Sequence, residues 1–100
     1  MKELVNAIGY SATLDMLAEE CTELAHAALK YSRKLRKQNP TPLSEQEIRD
    51  SLIEEIADVK FCMSLINAAV LSEDEKDRVK KLMYLKKNRM INRLGMAEDD

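Results

Sequence analysis

The chain predicts an all-α protein: a bundle of three long helices plus a short one, its core completed by oligomerisation. Three observations predict this class. Gly and Pro occur only twice each and aromatic residues make up only 4%, so turn formers and β-formers are both scarce. Apolar residues recur at steps of three and four over long stretches. Two Ser-x-x-Glu segments stand where such stretches begin, and each can cap a helix.

Taken in order, residues 2–8 predict a short helix ended near Gly9, and Ser11 can cap the next one. From Leu14 the stripe Leu14, Leu17, Ala18, Cys21, Leu24, Ala25, Ala28, Leu29 and Leu35 predicts a helix reaching about Lys37. Residues 38–43 hold both prolines, which do not fit a helix interior, and read as a loop. Ser44–Glu47 is a capping box that opens a helix with the stripe Leu52, Ile56, Val59, Met63, Ile66 and Val70. A second box, Ser72–Glu75, opens the last helix, marked by Val79, Leu82, Met83, Met90 and Leu94 and stopped by Gly95. At 100 residues the whole chain reads as one domain, with its core over residues 10–94 and a frayed tail over 95–100. A domain of this size buries a modest share of its surface, so self-association as a homodimer or homotetramer is expected.

Charged residues make up 34% and the net charge is −2, which does not describe a nucleic-acid binder. The cations are nevertheless clustered, with five of the 16 between Lys30 and Lys37 and eight between Lys76 and Arg93. Cys21 and Cys62 fall on apolar helix faces and read as buried free thiols of a reducing, cytoplasmic compartment. No apolar run approaches the roughly 20 residues of a membrane span and no leader segment is apparent, so no membrane association is expected.

Four acidic residues break the pattern. Glu20 and Glu23 stand in the first long helix, Glu55 and Asp58 in the second. The i, i+3 spacing puts each pair on one face, a turn apart. At 100° per residue Glu55 falls about 60° from Leu52 and about 20° from Cys62, with Asp58 about 60° further round. Glu55 therefore occupies a position where a hydrophobe is expected, and Glu20 sits between Leu17 and Leu24 in the same way. Glu19 and Glu54 point further outward. Carboxylates gathered without compensation repel one another strongly, whereas a hard divalent cation, Mg²⁺ or Mn²⁺, requires such a set of oxygens.

Glu19-Glu20-Cys21-Thr22-Glu23-Leu24 followed by Glu54-Glu55-Ile56-Ala57-Asp58-Val59 resembles the MazG-like all-α nucleoside triphosphate pyrophosphohydrolases, a superfamily that includes the dimeric dUTPases and the dCTP pyrophosphatases. Its signature is E-x-x-E on one helix and E-x-x-D on the next, and the resemblance spans residues 10–94. It implies that Glu20, Glu23, Glu55 and Asp58 bind Mg²⁺. It implies hydrolysis of a nucleoside triphosphate at the α-phosphorus to monophosphate and pyrophosphate, as house-cleaning of nucleotide pools. A carboxylate, Glu20 or the adjacent Glu19, would take the proton of the attacking water. A Lys/Arg/Asn cluster in the last helix, with Lys86, Arg89 and Arg93, would hold substrate phosphates. The segment between Glu23 and Glu55 is longer than is usual in the family, and no aromatic pair offers an evident stack for a base.

Two other classes fit the letters. Glu23-x-x-His26 is half of a di-iron carboxylate motif, which two chains could complete as in ferritin-like proteins. A helical module that dimerises and binds a partner without catalysis is also compatible, although it gives Glu55 no role.

Overall fold

The computed structural model describes residues 1–38 and 42–96. They form four α-helices, α1 (Lys2–Ile8), α2 (Tyr10–Leu35), α3 (Glu45–Ala69) and α4 (Glu73–Arg93), with no strand among them. Residues 39–41 of the expected loop and 97–100 of the expected tail lie outside the described residues. The chain divides into two units, Met1–Val70 and Leu71–Asp100.

Within the first unit α2 and α3 lie side by side, and α1 packs on both. Their direction follows from who meets whom. Tyr31, near the end of α2, donates to Glu45 Oε1 at 3.2 Å and accepts from Arg49 at 3.0 Å, both near the start of α3. Glu20 and Glu23 meet Glu55 and Asp58 further along. Partner numbers that rise on one helix as they fall on the other define an antiparallel pair.

The short helix ends at Gly9 as expected, but Ser11 does not cap α2. Gly9, at φ 99°, is the junction, and α2 is already helical at Tyr10. Thr13 explains the abrupt start. It is fully buried, and its hydroxyl donates to the Gly9 carbonyl at 2.7 Å while its amide donates to the same oxygen at 2.9 Å. A positive φ is what glycine accepts and other residues resist.

At its far end α2 stops at Leu35, two residues before the expected limit. Lys37 takes φ 59°, and the amides of Lys37 and Gln38 donate to the carbonyls of Lys34 and Arg33 at 3.1 and 2.9 Å. This is a Schellman closure with lysine where glycine is favoured. Lys37→Gly is therefore expected to raise stability by about 0.5–1 kcal/mol, read as a higher midpoint in urea with an unchanged slope.

Ser44 caps α3 by accepting from the Glu47 amide at 3.1 Å, but the reciprocal half of the expected box is absent. Ser44 Oγ instead donates to Glu47 Oε1 at 3.2 Å. In α4 the box is complete, with the Glu75 carboxylate accepting from the Ser72 amide at 2.9 Å. Gly95, at φ 70°, closes α4 where a stop is expected, through the amides of Gly95 and Met96. None of the α4 residues is buried.

The apolar stripes are turned from their expected phase. On α2 the shielded line runs through Thr13, Leu17, Glu20, Leu24, Ala27 and Tyr31, while Leu14, Ala18, Cys21, Ala25 and Leu29 are exposed. On α3 it runs through Ile48, Leu52, Glu55, Val59, Cys62 and Ile66, with Leu65 also buried, while Ile56 and Met63 are exposed. The expectation of two buried thiols thus holds for Cys62 and fails for Cys21. Cys21 follows Glu20 by about 100° on the helix, which carries it off the α3-facing line.

Candidate metal centre

Midway along the α2–α3 pair, Glu20, Glu23, Glu55 and Asp58 each place an oxygen within 4.8 Å of the others. Glu20 and Glu55 occupy core positions on their helices and are partly shielded, while Glu23 and Asp58 stand on the open edge. Both half-motifs work the same way. The first acid of each enters the seam, and the second lies three residues on, beside it at the rim.

Glu20 Oε2 and Glu55 Oε2 are buried and lack a hydrogen-bond partner among the described residues. Buried polar atoms are normally satisfied, and a charged oxygen without a partner is costly. Desolvation is the first cause that pushes the Glu20 carboxyl above the usual carboxylate range, followed by repulsion from Glu23 and then Asp58. Glu55 is raised likewise by desolvation, then by the charge of Glu23 and a hydrogen bond with it, and by Asp58. Burial also raises the Cys62 thiol, with the negative charges of Glu20 and Asp58 adding to it. A neutral thiol beside this cluster leaves the oxygens as the ligating atoms.

The residues fit a hard divalent cation. Octahedral Mg²⁺ with bonds of about 2.1 Å holds opposite ligand oxygens about 4.2 Å apart. Oxygens within 4.8 Å of one another approach that span, and those that become neighbouring ligands draw in to about 3 Å. The donor set is all carboxylate.

The other sequence candidates are placed as follows. Glu19 is exposed and outside the cluster, as is His26, so Glu23-x-x-His26 supplies one cluster member and not two. Lys86, Arg89 and Arg93 line a recess on α4 together with Met90. They share one side of that helix because they are spaced by three and four residues. Asn88 Oδ1, on the same helix, is buried without a hydrogen-bond partner among the described residues. Lys87 stands over the Tyr84 ring at 5.7 Å.

Sequence reasoning missed the link between Tyr31, Glu45 and Arg49, in which the Arg49 guanidinium also stands 5.9 Å from the Tyr31 ring centroid. Its signal lay in the stripe itself, since Tyr31 continues the line of Glu20, Leu24 and Ala27. The link ties α2 to α3 on the loop side of the carboxylates and helps fix their register.

The carboxyl shifts set a pH dependence. Because Glu20 and Glu55 titrate higher when folded than when unfolded, the folded state holds more protons through that interval. The metal-free protein is therefore expected to lose stability as pH rises from the ordinary carboxylate value of 4.5 through the raised folded values. Saturating Mn²⁺ should remove that decline, because the ion then compensates the ionised carboxylates. Melting temperatures recorded against pH with and without Mn²⁺ would check it, and parallel curves would count against a shared ion.

Among the described residues no helix is long and apolar enough to cross a membrane. No family model matches this chain, and neither a curated protein nor a solved structure matches it.

Proposed function

We propose that the protein is a Mg²⁺-dependent nucleoside triphosphate pyrophosphohydrolase, with Mn²⁺ as an alternative ion, that yields nucleoside monophosphate and pyrophosphate. One observation carries this reading. The carboxylates of an E-x-x-E and an E-x-x-D half-motif on antiparallel helices converge within 4.8 Å, with two buried oxygens unsatisfied.

Glu20, Glu23, Glu55 and Asp58 hold the ion. When bound, it supplies charge neutralisation for phosphate oxygens and an acidified water. Glu20 is the proposed proton acceptor, because it stands in the cluster, whereas Glu19 faces solvent. Lys86, Arg89 and Arg93 are proposed as phosphate-binding cations, since their recess offers three positive charges on one helix face. Exposed apolar residues on α2 and α3, among them Leu14, Leu29, Ile53 and Ile56, support a homodimer or homotetramer.

Incubation with a panel of nucleoside and deoxynucleoside triphosphates plus Mg²⁺ tests the reaction, with products separated by ion exchange. Monophosphate and pyrophosphate in equal amounts are expected. Orthophosphate as the first product, or no turnover across the panel, would refute it.

A further inference from the structure

The edge of the α2–α3 seam that carries Glu23 and Asp58 continues in both directions, and its two ends differ in chemistry. On α2, Lys30 and Lys34 follow Glu23 by seven and eleven residues, which keeps them within about 20° of its direction. On α3, Ser51 and Glu47 precede Asp58 by the same two intervals. Because the helices are antiparallel, these four residues fall on one side of the carboxylates. On the other side the same intervals give Met16 and Ala12 on α2, and Leu65 and Ala69 on α3. The edge is polar and cationic at one end and apolar at the other.

Lys30 and Lys34 form no ion pair among the described residues. Glu47, the acid nearest them on that edge by sequence position, is bonded back to the Ser44 cap at 3.2 Å. Lys34 lies in the last turn of α2, where a cation is accounted for by the terminal carbonyls. Lys30 stands five residues before Leu35, the last residue of α2, beyond the turn over which that effect acts. Its Cα lies about 10 Å along the axis from that of Glu23, and helical side chains lean toward the N-terminus. Its side chain therefore leans along α2 in the direction of Glu23.

We propose that Lys30, with Lys34 beyond it, binds the terminal phosphates of the substrate, so that the polyphosphate runs toward the α2–α3 loop. This rests on the hydrolase reading given above and assigns its substrate a direction. The specificity is for a chain of at least two phosphates beyond the one attacked. Hydrolysis adds water to the α-phosphorus and breaks its bond to the bridging oxygen. Lys30 then neutralises charge on the departing pyrophosphate.

The test uses binding, not turnover. The full chain is saturated with Mn²⁺ and titrated calorimetrically with inorganic tripolyphosphate and with orthophosphate. Lys30→Ala should weaken tripolyphosphate binding about tenfold, leave orthophosphate and Mn²⁺ binding unchanged, and be largely rescued by Lys30→Arg. Lys60→Ala, on α3 away from this edge, should change nothing. Normal Mn²⁺ binding with unchanged tripolyphosphate affinity in Lys30→Ala would overturn the Lys30 assignment alone, as would an equal loss in Lys60→Ala. Failure of the wild type to bind Mn²⁺ would overturn the metal reading and this proposal with it.

Discussion

Glu55→Gln is expected to abolish metal-dependent hydrolysis, lowering kcat/KM by about 10³-fold or more, while the protein stays folded. The substitution is nearly isosteric, so the seam between α2 and α3 keeps its packing. What changes is charge. Glu55 lies on the shielded line of α3 between Leu52 and Val59, its Oε2 lacks a hydrogen-bond partner among the described residues, and its carboxyl is raised by desolvation and by Glu23. Without metal, a neutral amide there removes repulsion against Glu20, Glu23 and Asp58. The metal-free variant should therefore melt higher than the metal-free wild type at neutral pH. With saturating Mn²⁺ the order should reverse, since the variant binds the ion weakly and gains little from it. That crossing separates a ligand from a packing residue. A core glutamate with only a structural role would shift both curves in the same direction. Normal turnover in this variant would end the site assignment.

The second large effect is on stability. Leu65→Ala is expected to cost about 2–5 kcal/mol and to lower the melting temperature by more than about 10 °C. Leu65 is 0% exposed and belongs to the end of the pair where α3 finishes, α2 begins and α1 covers both. Val5, Thr13, Cys62 and Ile66 are also buried on these helices, while Ile48 is buried near the opposite end of α3. So small a core cannot collapse efficiently around a vacated side chain, which puts the site toward the upper part of that range. Thermal unfolding by circular dichroism measures it. A shift of only a few degrees would mean that this end of the bundle contributes little to holding α2 and α3 together. The comparison with Ile56→Ala is informative, because Ile56 is 38% exposed and should cost far less in the isolated chain.

Much of this was legible in the residues. Ser44 and Ser72 announce the starts of α3 and α4 because a hydroxyl three residues before a glutamate satisfies amides that a helix start leaves open. Gly95 announces the end of α4 because its backbone reaches positive φ without hindrance. The four carboxylates were found from spacing alone, since i, i+3 pairs share a face whichever way the helix is turned.

The phase of each helix was not legible, for a physical reason. α2 carries apolar residues around much of its circumference, from Leu29 and Ala18 through Cys21 and Leu24 to Ala27 and Met16, so hydropathy defines no single buried line. The neighbour decides, and α3 selects Leu17, Glu20, Leu24 and Ala27. On α3 the apolar letters alone centre the stripe on Leu52, Ile56 and Met63. Admitting Glu55 to the stripe moves the centre toward Val59 and Cys62, which is where the chain buries it. Glu55, expected at a hydrophobe's position, is thus part of the line itself, and Ile56 and Met63 face outward as a result. Ser11 failed as a cap for a related reason, because the buried Thr13 hydroxyl fixes the Gly9 carbonyl and starts the helix two residues early.

The central claim is that Glu20, Glu23, Glu55 and Asp58 share one divalent cation. Crystals soaked in Mn²⁺ and measured for anomalous scattering test it most directly. The account predicts a single strong peak surrounded by those four carboxylates, about 2.1–2.2 Å from the nearest oxygens. Ordered side chains at saturating Mn²⁺ with no peak between them, or with the ion held elsewhere, would contradict it.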